Sequence, residues 1–141
     1  MERETKLILS CWRATIDDIN KHLATGIVRV VGYHKETEEI KFECNDGTAI
    51  YFFHDQDCCE YVRLVDADGL DNNVDIFTGC KWCKVEEVKK ESGWDNYGES
   101  YTWTFYKFTT DKGYDTMRWL GESNGYYSEE VNFEIWSIEV E

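Results

Sequence analysis

The last third of the chain admits few folds. "SYTWTFYKFTT" (residues 100–110), "GYDTMRWLG" (113–121) and "YYSEEVNFEIWSIEV" (126–140) are long β-branched and aromatic runs, interrupted only by "DKG" and "GESNG". Such residues suit a pleated, half-buried surface, and Asp, Asn and Gly supply the turns between them. Three consecutive strands joined this way pair antiparallel. On the last run Val131, Phe133 and Ile135 share one face and Glu130, Asn132 and Glu134 the other, until Trp136 and Ile138 reverse the order. That reversal predicts a bulge or a strand buried on both faces.

The rest of the chain reads in the same terms. "RATIDDINKHLATG" (13–26) places Ile16, Ile19 and Leu23 at helical spacing, with Thr15 as N-cap and Gly26 as stop. Then "IVRVVGY" (27–33), "EEIKFEC" (38–44) and "TAIYFFH" (48–54) read as a meander, and "EYVRLVDA" (60–67) as a further strand. "CKVEEVKKE" (83–91) fits a strand better than a helix, although its charges do not alternate cleanly. "ESGWDNYGES" is the longest loop signal, and its Trp94 and Tyr97 suit contact with a partner or with neighbouring chain. With 141 residues, no internal repeat and no Pro-rich linker, the expectation is one domain over residues 1–141. The expected class is α+β, mainly antiparallel β, with one short N-terminal helix packed on a meander-type sheet or half-barrel.

Lys and Arg total 15 against 29 Asp and Glu, a formal charge of −14. That field repels nucleic-acid backbones and anionic membranes and attracts basic proteins. The start, "MERETKLILSCW", holds an apolar run of three, so it reads as neither a signal peptide nor a spanning helix, and the expected location is cytoplasmic. Six Cys without an export signal read as reduced thiols, most of them small core residues.

Four constellations bear on chemistry. In "FFHDQDCCEYV", His54, Asp57 and Glu60 could hold a divalent ion that activates water, and His54 with Cys58 or Cys59 could form a nucleophile and base, although residues so close in sequence rarely converge. Cys80 and Cys83 in "GCKWC" have zinc-knuckle spacing and would need a second pair from Cys58, Cys59 and His54. "DADGLDNNVD" invites calcium but puts Gly69 fourth rather than sixth, which favours a solvated acidic turn. In "RWLGESNGYYSEE", Arg118 can grip a phosphate, Trp119 and Tyr126 can stack on a base, and Asn124 can bond a sugar or base edge; alternatively Arg118 pairs with Glu122 or Glu129 in a plain hairpin. No phosphate-cradling glycine loop or nucleophile elbow is present, and no cofactor is implied.

Taken together, "HDQDCCE", "ESYTWTFYKFTTDKGY" and "RWLGESNGYYSEEVNFE" resemble a family of small phage and prophage proteins of unknown function, from about residue 26 to residue 134. The resemblance implies a mobile-element origin and an accessory role, and lends no catalytic residue. The resulting expectation is a non-enzymatic antagonist of host defence. It would sequester a nucleotide-derived signal through Arg118, Trp119, Asn124 and Tyr126, with His54 and Asp57 as partners, or occupy a host defence protein as an acidic decoy. Binding between subunits of a homo-oligomer is compatible with the first version. The competing expectation is a metal-assisted hydrolase using His54, Asp57 and Glu60.

Overall fold

A computed structural model describes the backbone of residues 5–140 and the side chains of residues 13–137. In chain order the elements are β1 (Thr5–Arg13), α1 (Ile16–Leu23), β2 (Ile27–Val31), β3 (Ile40–Cys44), β4 (Thr48–Phe53), β5 (Tyr61–Ala67), α2 (Asp68–Asp71), β6 (Cys83–Trp94), β7 (Ser100–Thr110), β8 (Gly113–Ser123) and β9 (Asn132–Val140). They form two open antiparallel sheets, one of five strands in the order β1-β9-β4-β3-β2 and one of four in the order β5-β8-β7-β6. The meander is there in β2, β3 and β4, whereas the half-barrel is replaced by two sheets face to face. Residues 1–4, part of the start read above as neither signal nor span, lie outside the described residues. No described helix is long and apolar enough to cross a membrane.

Aromatic rings join the layers. Phe42 of β3 lies 5.2 Å from Phe108 of β7, and Phe52 of β4 lies 5.5 Å from Tyr106 of β7, all four buried. Such tilted and edge-to-face pairs add to the area they remove from water. The pattern behind this is the alternation along β7, where Thr102, Thr104, Tyr106, Phe108 and Thr110 point inward and the residues between them outward.

Thr15 caps α1 through a capping box with Asp18, and Ile19 and Leu23 are fully buried. On the same helix Asn20 donates to the Val85 carbonyl at 2.9 Å and accepts from the Val85 N–H at 2.8 Å. This side chain therefore covers part of the open edge of β6, where unpaired backbone groups would invite another strand.

Two sequence ambiguities are resolved by bulges and register. β6 shifts register between Glu87 and Lys89, so Val88 is the extra residue and Lys84, Glu86, Lys89 and Glu91 share the outer face. The uneven charge alternation is the trace of that bulge. Along β9, Phe133 and Ile135 point inward, Trp136 packs outward on Tyr51 at 5.8 Å, and the irregularity falls opposite, on β1, between Leu7 and Cys11. The side chain of Ile138 lies outside those described. β9 also starts at Asn132 rather than near Tyr126, and β1 was not legible, because a three-residue apolar run becomes a strand only beside β9.

The acidic turn after β5 is short helix α2, and carboxylates from β8 and from the following loop cap the backbone around it. Asp115 of β8 accepts from Gly69 N at 2.8 Å and Leu70 N at 3.3 Å, and Asp75 accepts from Phe77 N at 2.8 Å.

Candidate functional site

Where β4 leaves one sheet and β5 enters the other, the chain must turn, and residues 54–60 turn around a carboxylate. Glu60 accepts from Cys58 N at 2.8 Å, Gln56 Nε2 at 3.0 Å, His54 Nε2 at 3.0 Å and Asp57 N at 3.2 Å. The hydrogen bond from His54 is the main cause, with the backbone N–H groups adding to it, of a Glu60 pKa lowered to about 2. His54 Nδ1 donates to the Glu130 carbonyl at 2.7 Å, and Asp55 N donates to Asn132 Oδ1 at 2.8 Å. The first and third blocks therefore meet. Between them lies a polar cleft of about 350 Å³ whose lining includes Arg13, His54, Asp55, Asp57, Ser128 and Asn132.

The same connection binds the second block from the other side. Glu129, buried between β8 and β9, accepts from Thr102 Oγ1 at 2.7 Å and from Ser123 Oγ at 2.5 Å. Since Thr102 spends its proton on the carboxylate, Ser92 Oγ, 2.9 Å away, is the donor in their contact. Gly121 makes the approach possible: a Cβ there would stand 2.6 Å from the Glu129 carbonyl oxygen. Thr102 and Ser92 were not picked out from sequence, and Glu129 was read only as an alternative partner of Arg118. The available signal was Thr recurring at the inward positions of β7, which demands a polar partner indoors.

This geometry gives the metal and nucleophile readings little to work with. Both His54 nitrogens face acceptors, and Glu60 already takes four donors, so neither presents a lone pair to the cleft. Cys58 and Cys59, expected as reduced thiols, are joined to each other as a disulfide on an exposed loop. Cys80 and Cys83 are buried with Cys44 instead, so among the described side chains the knuckle lacks its second pair. Burial pushes the Cys44 thiol up to about 12 and that of Cys83 higher still. Among the described residues no group of three His, Cys, Asp or Glu is arranged to hold a metal ion.

The expected anion site does not assemble as one pocket. Arg118 and Trp119 are consecutive on β8 and so face opposite ways. Arg118 points outward, where Asp66 takes its Nε at 3.0 Å and also its Nη2, and its guanidinium lies 5.3 Å over Trp103. Asp66, opposite Arg118 in the β5–β8 register, is its partner rather than Glu122 or Glu129. Trp119 points into the core at 1% exposure, its indole N–H without an acceptor among the described residues. Asn124 Oδ1 accepts from Tyr126 N at 3.0 Å, which closes the turn and leaves the Tyr126 ring 84% exposed. His54 and Asp57 belong to the other cleft.

No curated protein and no solved structure matches the chain. A family described as a domain of unknown function matches residues 16–133, from the first turn of α1 into β9, and so takes in the meeting point of the three blocks. By that match the chain belongs to the domain-of-unknown-function family DUF7448.

Proposed function

We propose that this chain is a non-catalytic binding protein whose acidic surface engages a basic protein. The phage-type resemblance of its three blocks makes a host defence protein the expected partner. One observation carries the reading: all four described arginines, and three of the lysines, are held by carboxylates within the molecule. Arg13, Arg29, Lys41, Arg63, Lys89, Lys90 and Arg118 each lie within ion-pair distance of a carboxylate. Six described cations also lie 4.6–5.8 Å from aromatic ring centroids on the outer sheet faces. Roughly one energetically significant pair of that kind per 70–80 residues is ordinary, and here six cations are close enough to cover rings. The surplus of carboxylates, −14 overall, is left to set the outward field. Such a field steers a basic surface into contact and repels phosphate.

A nucleotide-derived ligand is the second reading, and it has a cost: Arg118 must leave Asp66 to grip a phosphate, and Trp119 is buried. The test is capture of partners from host extract on the immobilised protein at low and at high salt, with denaturation of a second sample to release small molecules. A basic protein held stoichiometrically and released by salt is the expected result. A stoichiometric nucleotide with no protein partner overturns the proposal in favour of the second reading.

A further inference from the structure

The outer face of the four-stranded sheet carries a cleft of about 460 Å³. Its floor is Tyr101 and Trp103 of β7 with Leu120 of β8, and its rim is Glu91 of β6, Asp95 of the following turn and Glu122 of β8. The floor exists because Thr102 and Thr104 take the inward positions, which turns Tyr101 and Trp103 outward. It is flat because Gly93 lies opposite Tyr101. A Cβ at Gly93 would stand 2.7 Å from the Tyr101 hydroxyl and 2.9 Å from Cζ, so only the bare backbone lets the ring lie across the neighbouring strand.

Charge decides what suits this floor. Glu91, Asp95 and Glu122, with Glu36 and Asp66 just beyond, face Lys89, Arg63 and Arg118. Arg63 is shared by Glu36 and Glu122 at 2.8 Å each, Arg118 is held by Asp66, and Lys89 reaches Glu91 only at 3.4 Å. No cation pairs with Asp95 among the described residues, whose Oδ1 caps its own turn by accepting from Tyr97 N and Glu99 N. Ring faces are electron-rich, and the unmatched carboxylates add to that potential. The group satisfying both is a planar cation on an apolar stem.

We infer that this cleft receives an arginine side chain of the basic partner, the guanidinium stacking on Tyr101 and on the part of Trp103 that faces the cleft, away from the Arg118 guanidinium already 5.3 Å from that ring, while its N–H groups reach the rim carboxylates. The inference rests on the acidic-surface reading and supplies it with one central anchor of the kind that dominates interfaces.

The test titrates the full chain with a Gly/Ser peptide carrying several arginines, following the six Trp indole N–H resonances by NMR and the affinity by calorimetry. The expected result is a shift of the Trp103 resonance, affinity at least about tenfold weaker in Trp103→Leu, and a weaker but measurable loss in Glu91→Gln, whose exposed side chain can change without harm to the fold. Equal affinity in wild type and in a folded Trp103→Leu overturns the cleft and leaves the acidic surface standing. No peptide binding at low salt overturns both. If Trp103→Leu does not fold, an unshifted Trp103 resonance with unchanged Glu91→Gln affinity overturns the cleft.

Discussion

His54 and Glu60 meet 3.0 Å apart with their side chains only 4% and 0% exposed. The imidazole also donates to the Glu130 carbonyl, so this pair ties the β4–β5 turn to the β8–β9 connection at the seam between the sheets. Residue types that suggest catalysis thus serve here to hold a turn together, because a buried carboxylate must collect donors and the nearest ones belong to its own loop.

Glu60 makes stability fall in acid. Its carboxyl lies near a pKa of 2 in the fold against 4.5 as its ordinary value. A carboxylate whose pKa drops on folding stabilises the protein above its unfolded value and loses that contribution as pH falls through the folded one. Thermal midpoints measured from pH 5 downward should therefore decline between about 4.5 and about 2. Glu60→Gln should lower the midpoint at neutral pH and flatten the decline, not abolish it, because Asp46 and Asp75 are lowered too. An unchanged acid profile in Glu60→Gln would remove the carboxylate from its assigned role.

Trp119 behaves as core. Trp119→Ala should cost about 3–5 kcal/mol in urea unfolding. Trp119→Phe should cost only about 1–2 kcal/mol, since the small cavity is partly offset by deleting an indole N–H that has no acceptor. A near-neutral Trp119→Ala would mean that the ring is not packed between the sheets.

Arg118 separates the two readings of function. Its side chain is 44% exposed, so Arg118→Ala should cost no more than about 1 kcal/mol for the Asp66 pair and the Trp103 contact together. Binding of a basic partner should be retained, because a cation has been removed from an acidic surface. Loss of all ligand binding in this variant, with the fold intact, would instead favour an anionic ligand.

Gly121 tests the meeting of the blocks. In Gly121→Ala the new methyl runs into the backbone and Cβ of Glu129, which cannot swing away as a flexible side-chain tip would. The expected loss is about 1–3 kcal/mol, with faster amide hydrogen exchange concentrated at residues 128–130. Uniformly unchanged exchange would show that Glu129 does not depend on that approach.

Much of the strand content was readable from local pattern. The limits of β7 follow from a β-branched and aromatic run closed by "DKG", and the N-cap of α1 from Thr15 ahead of the helical spacing, and both are present as read. The site was readable only in fragments. His54, Asp57 and Glu60 were noticed as a group, but not that Glu60 would be saturated by its own loop, and Arg118 was noticed without its partner Asp66, 52 residues away. The pairing of Cys58 with Cys59 likewise ran against the reading of reduced thiols.

The sequence by itself determined an antiparallel β chain with one capped amphipathic helix and an acidic surface, because period-2 alternation, cap chemistry and charge are properties of neighbouring residues and of composition. Only the tertiary structure decided that the last strand inserts between β1 and β4 and that Glu129 and Glu130 bring three distant blocks together. It also decided that Arg118 and Trp119 part company across β8. Those outcomes depend on which strands pair and in what register, and pairing is settled by the shared burial of residues far apart in the chain.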